Sequence, residues 1–378
     1  MALCLLSFLK RSLDRLLNTK ALAENANHEY SCEEEAMPIP YLPQQVFVEI
    51  LSKLSVKSLL KFKCVSKSWR SLISDSHFIK THLNQNQTRR ILIAKSNYQC
   101  SLYTASFGSA SNDIVVEKID FVVQNNPHPQ CQIIGSCNGL ICLEVDFQFI
   151  YVFNPSTRES KPIPDCNFLC NVGFGYDRCS DDYKLVKITS NSISVYSLRM
   201  GCWRKVLDFP KYTVNVLDFG IQLNGDIHWF CLKDYRDEPL EIAAFSLVDE
   251  KLWRIPLPTS FTGYDDVSPQ LGVFEGCLCI LPCRDDKFWV MKEYGVKQSW
   301  TKFDIKNPFP DSLQVLALLN YDEDLLLLAH WSKLVLYNKR AGTYRNLVIP
   351  NMEECDLDFH HAMIYVDSLV SPRQTNEI

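Results

Sequence analysis

The stretch from Pro40 to Phe78, PYLPQQVFVEILSKLSVKSLLKFKCVSKSWRSLISDSHF, reads as three short helices with more apolar surface than they can bury among themselves. Pro43 opens the first helix, because its fixed φ suits the first turn and its missing N–H is not needed there. Val46, Ile50, Leu51 and Leu54 follow at helical spacing and form one stripe. Ser55 and Ser66 stand where N-caps belong. The first precedes Leu59, Leu60 and Phe62, the second Trp69, Leu72 and Ile73. A module of about 40 residues cannot enclose that much apolar surface, so a partner is expected to cover part of it. The alternative is that these side chains fill the module's own core.

Charge points the same way. Residues 38–82 hold Lys53, Lys57, Lys61, Lys63, Lys67, Arg70 and Lys80 against Glu49 and Asp75, a net +5 in a chain of formal net charge −5. A patch of this sign steers an acidic protein partner, acting on association rate more than on affinity. Nucleic acid is the competing reading, and the acidic remainder of the chain argues against it. Solvated lysines on helix faces are the plain alternative.

With 378 residues, 47% hydrophobic and 22% charged, the chain is globular and long enough for a small module plus one large domain. Its sixteen cysteines are scattered through apolar runs, as at Cys137, Cys142, Cys277 and Cys279, where cysteine behaves as a small buried hydrophobe. No secretory signal and no apolar run of membrane-spanning length is evident. A reducing compartment, cytoplasm or nucleus, is therefore expected. Leucines at 3, 6, 9, 13, 16 and 17 pattern the N-terminus as an amphipathic helix with Lys10, Arg11, Arg15 and Lys20 on other faces. It reads as a loosely attached helix or accessory partner surface, with a membrane-surface or targeting role as the alternative. An acidic linker follows, and residues 1–37 form one segment.

From about residue 90 the pattern changes to short β-runs broken by Asn, Asp, Gly and Pro, and the runs repeat. YVFNPSTRES, SVYSLRMGCW, AAFSLVDEKLW, WVMKEYGVKQSW and LVLYNKRAGTY align on Phe153, Tyr196, Phe245, Met291 and Tyr337, with gaps of 43, 49, 46 and 46 residues. The closing aromatics Trp203, Trp253, Trp300 and Tyr344 step by 50, 47 and 44. Upstream in each unit lies a turn between strands: SCNGLICL, QLNGDIHWF, FEGCLCIL and LNYDEDLLLLAH. Units of this length fit four-stranded blades of a β-propeller, and the span from 90 to 367 accommodates six. The tryptophans are expected to pack between sheets rather than to stack on ligands. Ring closure removes exposed sheet edges, so AMIYV at 362–366 should join ILIAK at 91–95 in one blade.

The order Leu-Pro, Ile-Leu-x-x-Leu, Val-Lys-Ser-Leu-Leu-x-Phe-Lys-x-Val-x-Lys-x-Trp, Leu-Ile, His-Phe over residues 40 to about 80 resembles an F-box. Members of that family dock on the adaptor Skp1 and through it join Cullin1 in a ubiquitin ligase. The resemblance places Leu42, Pro43, Ile50, Leu51, Leu54, Leu59, Leu60, Val65, Trp69 and Ile73 at the Skp1-binding positions. GSCNGLICL, FNPSTRE, GFGYDRCSDDYKLV, VYSLRMGCW and LNGDIHWF resemble, in the same order, the F-box-associated domain of plant F-box proteins, often called kelch-like. The Gly-Gly doublet of kelch blades and the Trp-Asp pair of WD40 blades are both missing. Within the family the pattern is similar to the S-locus type, whose members recognise secreted ribonucleases, and a ribonuclease target is what that similarity implies.

Catalysis finds little support. Asp181/Asp182, Asp265/Asp266 and Asp285/Asp286 fall in turns, where Asp satisfies local backbone N–H groups. His360 and His361 follow Glu353, Glu354, Asp356 and Asp358, but adjacent residues on a strand point to opposite faces. Cys277, Cys279 and Cys283 lack a second pair at zinc spacing, and no phosphate loop or nucleophile elbow is present. No cofactor is expected.

The sequence thus leads to a mostly β chain with a small α module: a three-helix F-box at 38–85, a six-bladed propeller at 86–370 and a tail at 371–378. By resemblance it is a non-catalytic substrate receptor of an SCF ubiquitin ligase, with a Skp1-like adaptor, Cullin1 and an unknown target protein as partners. Target binding is expected on the longer loops at 232–239, 258–269 and 283–287, with Tyr235, Arg236 and Tyr264 as interface types. The other readings are an F-box adaptor outside any ligase and a propeller enzyme or glycan-binding protein.

Overall fold

The computed structural model describes residues 44–86, 88–95, 101–107, 114–119, 121, 131–164, 171–189, 192–208, 213–214, 219–232, 240–259, 261, 270–281, 287–304, 313–319, 325–330, 333–338, 342–347 and 359–373. Two compact units emerge. One contains the helices and also Asp367–Leu369; the other is β and spans Thr88–Val366 and Val370–Ile378.

The helical unit has four described helices: α1 (Gln44–Ser52), α2 (Val56–Phe62), α3 (Lys67–Ser74) and α4 (Ser76–Gln85). The expectation of three is corrected by Asp75. Its extended backbone ends α3, and its carboxylate accepts the Phe78 N–H at 3.0 Å to start a further helix. Ser55 and Ser66 cap α2 and α3 as expected, accepting from the Ser58 and Trp69 amides at 3.3 and 3.2 Å.

The β unit begins with β1 (Arg89–Lys95), β2 (Ser101–Phe107) and β3 (Ile114–Ile119). The next sheet holds β4 (Cys131–Cys137), β5 (Leu140–Val145), β6 (Phe149–Phe153) and β7 (Ser160–Ile163). Then come β8 (Asn171–Asp177), β9 (Asp182–Ile188), β10 (Ser192–Ser197) and β11 (Cys202–Asp208). The sheet after that contains β12 (Thr213–Val214), β13 (Ile221–Leu223), β14 (Asp226–Leu232), β15 (Glu241–Ser246) and β16 (Leu252–Ile255). Two more follow: β17 (Gln270–Phe274), β18 (Cys277–Leu281), β19 (Lys287–Met291) and β20 (Trp300–Asp304), then β21 (Leu313–Leu319), β22 (Leu325–His330), β23 (Lys333–Asn338) and β24 (Thr343–Leu347). The final strand, β25 (Phe359–Val366), returns to the first sheet and pairs with β1, Ile91 opposite Ile364. The chain ends are thereby joined within one sheet, as the sequence led us to expect.

This is a β-propeller whose regularity is incomplete. Five sheets have the four-strand blade plan, whereas the sheet of β12–β16 has five strands; the expectation of six four-stranded blades is corrected to five. In the irregular sheet β12 and β13 both pair with β14. Gly220, just ahead of β13, is drawn onto the neighbouring sheet instead. Its N–H bonds Val172 O at 2.9 Å, and it bridges Gly173 in parallel. A Cβ on Gly173 would stand 2.3 Å from Ile227 and one on Gly220 2.5 Å from the Trp229 ring, so only glycine permits this approach.

The repeat landmarks fall on equivalent strands. Phe153, Tyr196, Phe245, Met291 and Tyr337 all lie on the next-to-last strand of their sheets and are buried. Trp203, Trp300 and Tyr344, on the fourth strands, stand directly opposite Tyr196, Met291 and Tyr337. The turn dipeptides Asn138-Gly139, Asn224-Gly225 and Glu275-Gly276 have positive φ at both positions, the backbone of a tight type I′ hairpin.

Candidate functional site

The helical module fills its centre with Phe47, Leu51, Val56, Leu59, Trp69, Ile73 and Phe78, joined by Leu369 from the far end of the chain. Phe62 meets the Trp69 ring edge-on at 5.2 Å. Polar bonds tie α1 to α4: His82 Nε2 donates to Leu54 O at 2.8 Å, and Ser52 Oγ to Gln85 Oε1 at 2.6 Å. Ser52 and His82 are buried, so leaving either without its bond would be costly.

Against this core the ten residues assigned by resemblance to adaptor binding divide into three groups. Leu51, Leu59, Trp69 and Ile73 are at most 1% exposed; they set the shape of the module. Ile50, Leu54, Leu60 and Val65 are half-buried and retain apolar surface toward solvent. Leu42 and Pro43 lie outside the described residues. Val46, Val48, Phe62, Leu72 and Ile79 are half-buried as well, so the available apolar surface is wider than the motif positions alone. Phe47 and Phe78 were missed as core residues. The signal for Phe47 was its place one helical turn before Leu51.

Around that surface Lys53, Lys57, Lys61, Lys67, Arg70 and Lys80 are exposed. Glu49 is drawn onto Lys53 at 2.9 Å, and this hydrogen bond and charge hold its carboxyl below the usual range. Asp75 serves as a helix cap. Both acids are thus engaged locally, and the module carries a net positive charge.

In the β unit, Tyr235, Arg236 and Tyr264 lie outside the described residues. The strands bounding their loops are described: β14 ends at Leu232 and β15 starts at Glu241, while β16 ends at Ile255 and β17 starts at Gln270. The aromatics that close the repeats are framework. Trp203 and Trp300 donate their indole N–H to Pro164 O and Pro256 O at 2.7 and 2.8 Å. Each acceptor directly follows the last strand of the preceding sheet, so each bond ties two sheets together. Trp253 bonds Asp226 at 3.1 Å, and Tyr294 bonds the same oxygen at 3.1 Å. Tyr294 also meets buried His228 Nε2 at 2.6 Å. Burial lowers the His228 pKa, opposed by its bond to Ile221 O.

The paired carboxylates of the described turn are likewise consumed by the fold. Asp181 accepts from Tyr176, and Asp182 accepts from Ser197 Oγ and the Arg199 amide. Beside them, buried Lys184 reaches Asp177 at 2.7 Å, Glu250 at 3.1 Å and Leu247 O at 2.8 Å, and Arg204 also pairs with Glu250. Burial alone would raise both acids. Hydrogen bonds from Lys184, Ser180 and the Cys179 amide outweigh it at Asp177, and bonds from Arg204 and Lys184 outweigh it at Glu250, so both lie below the usual carboxylate range. Asp265, Asp266, Asp285 and Asp286 lie outside the described residues, as do Glu353, Glu354, Asp356, Asp358 and Cys283; His360 and His361 occupy successive positions of β25. Among the described residues no three His, Cys, Asp or Glu side chains are grouped to hold a metal, and no helix is long and apolar enough to cross a membrane. Cys137, Cys142 and Cys279 are buried, with burial pushing the Cys137 thiol up to about 12. Cys131 is disulfide-bonded, unlike the free cysteines read from the sequence.

Known proteins agree with this division. Residues 39–81 match the F-box domain family, and residues 89–372 match the F-box associated beta propeller domain family. An F-box/kelch-repeat protein of Arabidopsis thaliana is 30% identical over 366 residues, covering 88% of this chain and 96% of that protein. The F-box protein CPR1 of Arabidopsis thaliana is 27% identical over 373 residues, covering 84% and 87% respectively.

Proposed function

The chain belongs to the F-box proteins that carry an F-box-associated β-propeller, and from that premise we propose that it is the substrate-recognition subunit of an SCF ubiquitin ligase in the cytoplasm or nucleus. The F-box binds a Skp1-like adaptor and, through it, Cullin1; the propeller binds a target protein. Ubiquitin transfer belongs to other subunits. This chain contributes proximity, turning a bimolecular encounter into a positioned one. The five-stranded sheet counts, in this reading, as a sixth and irregular blade.

The observation that carries the proposal is the apolar surface of Ile50, Leu54, Leu60 and Val65, left half-buried on a module whose core is already filled. Covering such side chains contributes on the order of 1 kcal/mol each, and the lysine patch favours an acidic partner. The test is co-purification of a Skp1-like adaptor and Cullin1 with the full chain and with the Leu42→Ala/Pro43→Ala variant. Both proteins should accompany the wild type and be lost from the variant. Adaptor without Cullin1 would indicate an adaptor outside any ligase; neither protein on the wild type would refute the reading.

A further inference from the structure

The helical unit is not one stretch of sequence. Residues 44–86 supply its four helices, and Asp367–Leu369 belong to the same unit although the strands of the β unit lie between them in sequence. Leu369 is 3% exposed and shares one core cluster with side chains of all four helices: Phe47 and Leu51 from α1, Leu59 from α2, Trp69 and Ile73 from α3, and Phe78 from α4. Residues 367–369 form neither strand nor helix, so ladder pairing does not account for this burial. Apolar packing does. The F-box match ends at residue 81, and the propeller match, 89–372, takes in Leu369; the family boundaries thus assign this side chain to the wrong core.

Its neighbours fix where it sits. Val366 stands opposite Arg89 at the end of the β25–β1 pairing. Beyond Leu369, Val370 O accepts from buried Asn154 Nδ2 at 2.7 Å, Ser371 Oγ bonds Glu159, and Arg373 Nε donates to Ser160 O at 3.2 Å. The chain therefore leaves the β unit after Val366 and returns to it at Val370. An excursion this short, held at both ends, loses little further entropy when Leu369 is buried. The anchors set its register; the module needs the side chain itself.

Leu54 and Leu60, two of the half-buried residues assigned to adaptor binding, pack against the cluster that contains Leu369. A small module has few core side chains to spare. A close-packed interior transmits the loss of one to the helices around it, and those helices carry the open apolar surface. We infer that Leu369 is a positioning residue for adaptor binding, part of a discontinuous docking module built from residues 44–86 and 367–369. The inference rests on the adaptor reading above and adds to it a determinant outside the F-box.

Full-length wild type and variants are titrated with a fluorescein-labelled Skp1-like adaptor, well below the melting temperature of either unit. Leu369→Ala should weaken binding about tenfold, because fewer molecules hold the competent arrangement. Leu369→Met, which refills the space, should bind within about threefold of wild type. Ser371→Ala, which cuts the bond to Glu159 in the β unit, should leave affinity unchanged. Thermal unfolding separates the units. Leu369→Ala should lower the helical transition seen by circular dichroism by about 10 °C and leave the propeller's tryptophan-fluorescence transition in place. Should alanine leave the module unfolded, Leu369→Val should show the same pattern with a smaller loss. Full affinity in the alanine or valine variant, equal weakening by Ser371→Ala, failure of Leu369→Met to restore binding, or a fall confined to the propeller transition would each overturn the inference. Binding by the wild type reads the F-box assignment separately, so these failures leave that assignment standing.

Discussion

The two units solve the same problem, the enclosure of apolar side chains, in opposite ways. The propeller closes on itself: β25 pairs with β1, and Trp203 and Trp300 tie each sheet to the one before it. The helical module encloses Phe47, Leu51, Leu59 and Trp69 yet leaves a belt of half-buried apolar residues and exposed lysines around them. Closure suits a unit that must hold loops in place. Incompleteness suits a unit whose remaining surface is finished by another protein.

That contrast is breakable at defined points. The largest effect is expected from Leu92→Pro. Leu92 lies on β1, which is paired on both sides, with Met363 and with Thr104, so its N–H is used by one neighbour or the other. Proline there should cost about 3 kcal/mol or more and abolish cooperative unfolding of the propeller, followed by circular dichroism and tryptophan fluorescence. Adaptor binding through the separate helical unit should persist.

Next comes Lys184→Ala, which removes the buried cation shared by Asp177 and Glu250 and should destabilise the propeller by about 3 kcal/mol in urea unfolding. The same network predicts a pH dependence. Both carboxyls are held below their ordinary range, so their stabilisation is present above the unfolded pKa near 4 and is lost as pH falls through the lower folded values. The urea midpoint of the wild type should drop steeply on acidification, and that of Lys184→Ala less so. Gly173→Ala forces a Cβ to 2.3 Å from Ile227 and should cost about 2 kcal/mol by overpacking. The smallest effect belongs to the module: Ser66→Ala removes the cap on the Trp69 amide and should lower module stability by about 1 kcal/mol, seen as a small fall in its melting temperature.

What the sequence reveals and what it hides follows from range. Asn138-Gly139, Asn224-Gly225 and the repeat residues Phe153, Tyr196 and Phe245 are local signals, and each stands on the equivalent strand of its sheet. The caps Ser55 and Ser66 are equally local. Asp75, the cap that starts the fourth helix, is a signal of the same local kind. The irregular sheet depends on Gly220 meeting Gly173, residues of different sheets, and the Lys184 network depends on Glu250, 66 positions away. Nothing in a linear pattern reports such meetings. Of the ten positions that the resemblance assigns to adaptor binding, the sequence pattern could not separate the filled core of Leu51, Leu59, Trp69 and Ile73 from the open surface of Ile50, Leu54, Leu60 and Val65. Helical periodicity marks an apolar face without saying what covers it.

The most direct test of the division places charge on the open surface and leaves the core intact. Leu54→Asp with Leu60→Asp, in the full chain, is compared with the wild type for recovery of a Skp1-like adaptor and for thermal unfolding. The account predicts that the adaptor is lost while the melting of both units is essentially retained. Full recovery of the adaptor by this variant would contradict it, because the surface left open by the module would then not be the one its partner covers.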